Sequence, residues 1–200
     1  YRGATLHMNP PPGAGGVLLA FALGLLERVR TGIETVDGPT ALLLARIMAA
    51  ADGARDARFF TSLDDPAFVA ELLADARLDA TAASLGAPQP RPRRDTSAGS
   101  TTQISTVDGD GWLVSMTSSN GESCGWMLPG TGVLLNNFLG EEDLQGPAGT
   151  SPTPGARIRT MMTPTILAEP DGTLAALGSG GANRIRSAVL QGVVHLVDRG

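Results

Sequence analysis

The feature that most constrains this chain is the break between Asp79 and Ser100. Over that stretch the composition shifts to Ala, Pro, Arg and Ser and ends in Arg94-Asp95-Thr96-Ser97-Ala98-Gly99-Ser100, with several breakers and no hydrophobic period. An exposed linker is predicted there. It divides the sequence into two halves whose hydrophobic patterns differ in kind.

Before the linker the pattern is helical. Pro10-Pro11-Pro12-Gly13 reads as a stiff turn that opens onto Gly15-Gly16-Val17-Leu18-Leu19-Ala20-Phe21-Ala22-Leu23. The apolar residues of that run crowd every face of a helix, so it requires burial on all sides. A second run, Pro39 to Ala51, starts with a proline suited to a first helical turn, and a third follows Asp65-Pro66, an N-cap and first-turn pair. Three helices are predicted.

After the linker the pattern changes sharply. Thr101 to Val107 and Trp112 to Thr117 are β-rich runs separated by Asp108-Gly109-Asp110-Gly111, which predicts a hairpin. Thr163 to Ala168 and Thr173 to Leu177 flank Glu169-Pro170-Asp171-Gly172, a second hairpin, and Asn183 to Val197 returns to helical spacing. The order of helices, strands and a final helix predicts an α+β fold of stacked layers. Residues 1–100 and 101–200 are read as two structural parts.

Composition narrows the chemistry. With 42% hydrophobic and 18% charged residues, the 200-residue chain has enough apolar content for a sizeable core. Its net charge of −5, with Arg91, Arg93 and Arg94 as the dense basic patch, argues against a nucleic-acid footprint and leaves a small molecule as the expected partner. The single cysteine, Cys124, excludes an internal disulfide and a thiolate metal cluster, and His7 and His195 are far apart in sequence. Neither a metal nor an organic cofactor is expected. Asp108-Gly109-Asp110-Gly111 resembles a calcium loop only faintly, because the remaining ligand positions are missing. The apolar run Val17 to Leu26 is too short to span a bilayer, and nothing near Tyr1 has the layout of a leader. The sequence assigns no location, and its abrupt ends suggest a piece of a longer protein.

The chemistry concentrates at the junction, where the linker runs straight into Thr101. A threonine hydroxyl is a weak nucleophile until a base takes its proton, and an α-amine on the same residue, with a reference pKa of roughly 8, can be that base. Cleavage between Ser100 and Thr101 would create both groups on one residue. An ordinary strand start is the other reading of a Thr-Thr pair in this place.

Further residues bear on that choice. Thr101-Thr102-Gln103-Ile104-Ser105-Thr106-Val107-Asp108 resembles the Thr-Thr-His-x-Ser-x-x-Asp start of the small subunit of γ-glutamyltranspeptidases. Pro10 to Gly16 resembles a Pro-Pro-Pro-x-x-Gly-Gly stretch of the large subunit, and Gly130 to Asn137 resembles the Gly-x-x-Leu-Asn-Asn segment. Met162-Thr163-Pro164-Thr165 and Gly178-Ser179-Gly180-Gly181-Ala182-Asn183-Arg184-Ile185 match two later landmarks, in the same order. The resemblance covers nearly the whole chain.

That resemblance implies an N-terminal-nucleophile hydrolase of four αββα layers, of which this chain is a fragment. It implies a zymogen that cuts itself before Thr101, giving the end of a large subunit (1–100) and the start of a small one (101–200). Thr101 would then attack a γ-glutamyl amide of the glutathione type, and water or an amine would take the acyl group. Gly180 and Gly181 are the implied oxyanion donors, although a tight turn explains the same glycines. Ser119 falls where the family has a second threonine supporting the nucleophile. Asn137 and Glu141 fall on substrate-binding positions, Glu141 with Glu142 and Asp143 as alternatives in register and a solvated acidic loop as the plain alternative.

The chain also departs from the pattern. The family's Ser-Ser-Met-Ser-Pro, whose hydroxyls bind the substrate α-carboxylate, is Thr160-Met161-Met162-Thr163-Pro164 here, so Thr160 keeps one hydroxyl and Met161 loses the other. Gly121 stands where an asparagine contacts glutamate, with Asn120 one position early. An amidase or acylase of the same fold, or an unprocessed homologue acting as a binding module, therefore stays open as a reading. The implied carboxylate-binding arginine belongs to an earlier part of the large subunit, and Arg184 reads as structural. Trp112 and Trp126 read as packing or rim residues. The basic residues are all arginine, a bias of GC-rich bacterial genomes.

Overall fold

The computed structural model describes residues 1–30, 32–86, 101–141, 144 and 154–200. The first helix, α1 (Ala14–Val29), leaves the proline turn where the Gly13 N–H donates to the Pro10 carbonyl at 2.9 Å. Its apolar residues are buried around the whole circumference, Leu18, Leu19, Phe21, Leu25 and Leu26 almost completely, as that run of residues requires. Each such side chain contributes roughly 1.5–3 kcal/mol of burial, which makes α1 the centre of the core.

Four more helices follow, α2 (Gly38–Gly53), α3 (Ala57–Ser62), α4 (Pro66–Leu72) and α5 (Asp75–Ala83), of which α2 and α5 pack directly on α1. Three start on an aspartate whose carboxylate accepts a backbone N–H: Asp37 from Thr40 at 2.8 Å, Asp56 from Phe59 at 2.8 Å and Asp65 from Ala67 at 2.9 Å. Each cap satisfies one orphan donor and stabilises its helix by about 1 kcal/mol. The predicted helices at Pro39 and Pro66 form as read, whereas α3 and α5 are additional. Helix α5 runs through residues 79–83, so no linker starts at Asp79, and the rest of the expected linker, positions 87–100 with Ser100 included, lies outside the described residues.

In the second half of the chain, β2 (Thr102–Val107) and β3 (Leu113–Ser118) pair antiparallel from Thr102↔Ser118 to Val107↔Leu113. Asp108 closes the turn: its Oδ1 accepts the N–H groups of Asp110 at 3.0 Å and Trp112 at 2.9 Å. Two-residue strands β4 (Met127–Leu128) and β5 (Val133–Leu134) form a small ribbon. The second predicted hairpin is β6 (Thr165–Ala168) with β7 (Leu174–Leu177), and β1 (Thr5–His7) adds on the far side of β6, giving the order β1-β6-β7. Strand β3 runs beside β7, where the Ser115 hydroxyl donates to the Leu177 carbonyl at 2.9 Å.

The last helix, α6 (Arg184–Arg199), buries Ile185, Val189, Leu190, Val193 and Val194 against α1. Buried Leu167 of β6 belongs to the same apolar cluster, so helices and sheet share one core. Arg186, on the buried stripe, reaches Asp52 of α2 at 2.8 Å. The fold is mixed helix and strand, as expected. No helix among the described residues is long and apolar enough to cross a membrane.

Candidate active site

The β2–β3 register decides what faces Thr101. Since Thr102 pairs with Ser118, the residues just outside the ladder, Thr101 and Ser119, are cross-strand neighbours. Their hydroxyl oxygens, Thr101 Oγ1 and Ser119 Oγ, lie 2.9 Å apart. Ser119 Oγ also accepts the Gly121 N–H at 3.0 Å, so the Ser119 hydroxyl is held by the loop as well as by the threonine.

Gly121 is buried and has φ +66°, a left-handed conformation that costs most side chains. A Cβ here would lie 2.2 Å from Asn137 Oδ1 and 2.3 Å from Glu141 Oε1. Those two acceptors converge on the Glu122 N–H, at 2.8 Å from Asn137 and 3.2 Å from Glu141. They reach it together because they stand four residues apart across the single 3-10 turn Phe138–Gly140, where the Gly140 N–H donates to the Asn137 carbonyl at 2.8 Å. Thr101, Ser119, Asn137 and Glu141 thus form one half-buried cluster joined through the backbone of Gly121 and Glu122.

The glycine loop also approaches Thr101. A Cβ on Gly180 would lie 2.1 Å from the Thr101 carbonyl oxygen, so glycine alone permits this contact between the loop and the head of β2. Gly181 follows at φ +114°, and its carbonyl accepts the Arg184 N–H at 3.0 Å and Arg184 Nε at 3.3 Å, closing the loop onto the start of α6.

Two other sequence-selected residues are engaged elsewhere. Asn120 Nδ2 donates to the Leu134 carbonyl at 2.9 Å, tying the cluster to the β4–β5 ribbon. Thr160 Oγ1 accepts the Met162 N–H at 3.0 Å while its carbonyl accepts the Gly15 N–H at 3.2 Å, so it anchors the start of α1. Met161 is buried, and the Thr163 hydroxyl donates to the Met161 carbonyl at 2.9 Å. Glu142 and Asp143 lie outside the described residues. Cys124 is exposed, and its N–H donates to the Leu135 carbonyl at 3.1 Å. Trp112 and Trp126 are exposed.

Sequence reading missed Gln103 as a participant, although its place two residues after Thr101 put it on the same side of the strand. Its Oε1 accepts the Thr117 hydroxyl, and its Nε2 donates to Ser115 Oγ at 3.0 Å. It also overlooked the Glu122 N–H, because a backbone donor carries no sequence signal.

Comparison with known proteins bears on this arrangement. The gamma-glutamyltranspeptidase family profile matches residues 1–200. The chain belongs to this family. It is 33% identical over 212 residues to the Acylase ACY 1 proenzyme of Pseudomonas sp. (strain V22), covering 99% of this chain and 37% of that protein. It is 29% identical over 228 residues to the Glutathione hydrolase proenzyme of Escherichia coli (strain K12), covering 100% of this chain and 38% of that protein. A Glutathione hydrolase proenzyme of Pseudomonas sp. (strain A14) is 31% identical over 227 residues, with 100% and 38% coverage. The chain therefore spans well under half the length of these gamma-glutamyltranspeptidase-family relatives.

Proposed function

We propose that the protein carrying this chain is a self-processing threonine-nucleophile enzyme that transfers or hydrolyses γ-glutamyl groups. The observation that carries the reading is the 2.9 Å approach of Thr101 Oγ1 to Ser119 Oγ at the head of β2, with the Gly180 backbone against the same residue. In this reading cleavage between Ser100 and Thr101 separates a large-subunit segment (1–100) from a small-subunit segment (101–200), and both belong to a four-layer αββα sandwich completed by the rest of the protein. The freed Thr101 amine takes the proton of its own hydroxyl, and Oγ1 attacks the amide carbonyl. The negative charge that develops on the carbonyl oxygen is met by the N–H groups of Gly180 and Gly181. Collapse expels the amine, which takes the proton held by the Thr101 ammonium, and leaves an acyl ester on Thr101 that water or an acceptor amine then opens. Asn137 and Glu141 hold the α-amino end of the acyl group, where a carboxylate is the fitting partner for an ammonium. Proenzyme relatives of both the glutathione hydrolase and acylase kinds support the processed, two-piece form.

A second reading, an acylase for another acyl group, has its own support. Met161 puts a buried thioether where the family pattern has a hydroxyl, which removes one donor from the α-carboxylate end, while Thr160, whose Oγ1 accepts the Met162 N–H, keeps its own proton to donate. The acylase relative at 33% identity agrees with it.

The test is intact mass of the full-length protein beside Thr101→Ala, followed by turnover of γ-glutamyl and 4-aminobutyryl 4-nitroanilides. Two pieces in the wild type, the smaller beginning at Thr101, and one piece in the variant are expected. Faster release from the 4-aminobutyryl compound, which keeps the amine and lacks the α-carboxylate, selects the acylase reading. A single uncut mass in both proteins refutes the nucleophile and leaves a binding homologue.

A further inference from the structure

We infer that Gln103 is a positioning residue that sets the spacing between the nucleophile and the oxyanion loop, an inference resting on the proposed roles of Thr101, Gly180 and Gly181. Hydroxyl protons fix how its amide is oriented. The Ser115 hydroxyl gives its one proton to the Leu177 carbonyl at 2.9 Å, so Ser115 Oγ must accept from its other partner, Gln103 Nε2, at 3.0 Å. The amide is thereby oriented with Nε2 toward Ser115 and Oε1 toward Thr117, whose hydroxyl donates to it. Nε2 has a second hydrogen, with Ser105 Oγ and the Ile104 carbonyl each 3.1 Å away to receive it. The relay Thr117, Gln103, Ser115, Leu177 is thereby polarised, and reversing the amide would break it at Ser115, whose one proton is already given to Leu177.

The relay ends where the oxyanion loop begins. Leu177 is followed directly by Gly178-Ser179-Gly180-Gly181, and a Cβ on Gly178 would lie 2.1 Å from Gln103 Oε1 and 2.4 Å from its Cδ. The backbone at Gly178 therefore rests on the Gln103 amide, just as that at Gly180 rests on the Thr101 carbonyl. The loop meets β2 at two points, one at the nucleophile and one two residues beyond it. Gln103 supports the second point and holds Leu177 through Ser115. It does not touch the reacting atoms; it determines how far the loop's N–H groups stand from the atom that attacks.

Gln103→Glu is the informative variant, because it keeps the shape and the acceptor for Thr117 while deleting the donor to Ser115. The Ser115 hydroxyl must then turn its proton to the carboxylate and release the Leu177 carbonyl. Ser115→Ala breaks the same relay with a smaller change and serves where the glutamate variant fails to fold. In the full-length protein each variant is expected to lower kcat for the better of the γ-glutamyl and 4-aminobutyryl 4-nitroanilides by about 10- to 100-fold, with KM within about twofold, as a loop misplaced by a fraction of an ångström would. The double variant is expected to be no worse than the poorer single one, because both act through one relay. An active wild type with unchanged kcat in the variants, losses confined to KM, or fold-changes that multiply in the double variant would overturn the inference alone. A wild type that is uncleaved and inert toward both compounds would refute the nucleophile reading and this inference with it.

Discussion

Gly121→Ala tests whether the cluster depends on the backbone at one position. The substitution does two separable things. It places an L side chain at φ +66°, which costs about 1–2 kcal/mol wherever it occurs. It also puts a Cβ 2.2 Å from Asn137 Oδ1 and 2.3 Å from Glu141 Oε1, so both acceptors must retreat by about 1 Å to reach ordinary contact. Their bonds to the Glu122 N–H are then stretched or lost, a further loss of about 1–2 kcal/mol because Glu122 is exposed and water partly replaces them. Gly125 supplies the control: it has φ +74°, and a Cβ there would meet nothing within 4 Å, so Gly125→Ala carries the conformational cost alone. Expected losses of stability are about 1–2 kcal/mol for Gly125→Ala and about 2–4 kcal/mol for Gly121→Ala. The decisive readout is rate. Gly121 N–H holds Ser119, which holds Thr101, and a shift of about 1 Å there is expected to slow both precursor cleavage and anilide turnover by roughly 100-fold. Gly121→Asn should do no better, although asparagine tolerates the left-handed region, because its Cβ meets the same two oxygens. Cleavage and turnover of Gly121→Ala within about threefold of Gly125→Ala would refute the reasoning.

Two predictions concern stability. Burial pushes the Asp52 carboxyl up, but Arg186 and Arg55 outweigh it and hold the pKa below the ordinary value, so the pairing stabilises the fold above about pH 4 and fades as the pH falls through the lower folded value. Asp52→Asn should therefore lower Tm at pH 7 and flatten its decline on the acid side, and a melting curve against pH that parallels the wild type would contradict this. Phe59 is 0% exposed and stacks edge-on against Phe60 and Phe68, so Phe59→Ala should cost about 3–5 kcal/mol in chemical denaturation; a loss under about 1 kcal/mol would show that the α3–α4 corner is not packed as described.

The sequence by itself determined the elements with a strong period and the pairing that follows from them. Pro39 and Asp65-Pro66 mark helix starts because a proline has no N–H to lose in a first turn and an aspartate supplies the missing acceptor. The turn at Asp108 announces that β2 and β3 pair, but a turn of 108–111 would set Val107 against Trp112 and Thr101 against Ser118; the structure keeps Trp112 in the turn, pairs Val107 with Leu113 and so brings Thr101 opposite Ser119. Tertiary structure alone decided the rest. Strand β1 is three residues long and pairs with β6 from the other end of the chain, too short for a period and too distant for a turn to announce. Asn137 and Glu141 meet Gly121 and Glu122 from an aperiodic loop, through an N–H that every residue but proline possesses. Gln103 likewise has the sequence of an ordinary strand residue. Its connection to the glycine loop exists because β3 lies beside β7 in space, which local pattern does not encode and long-range packing does.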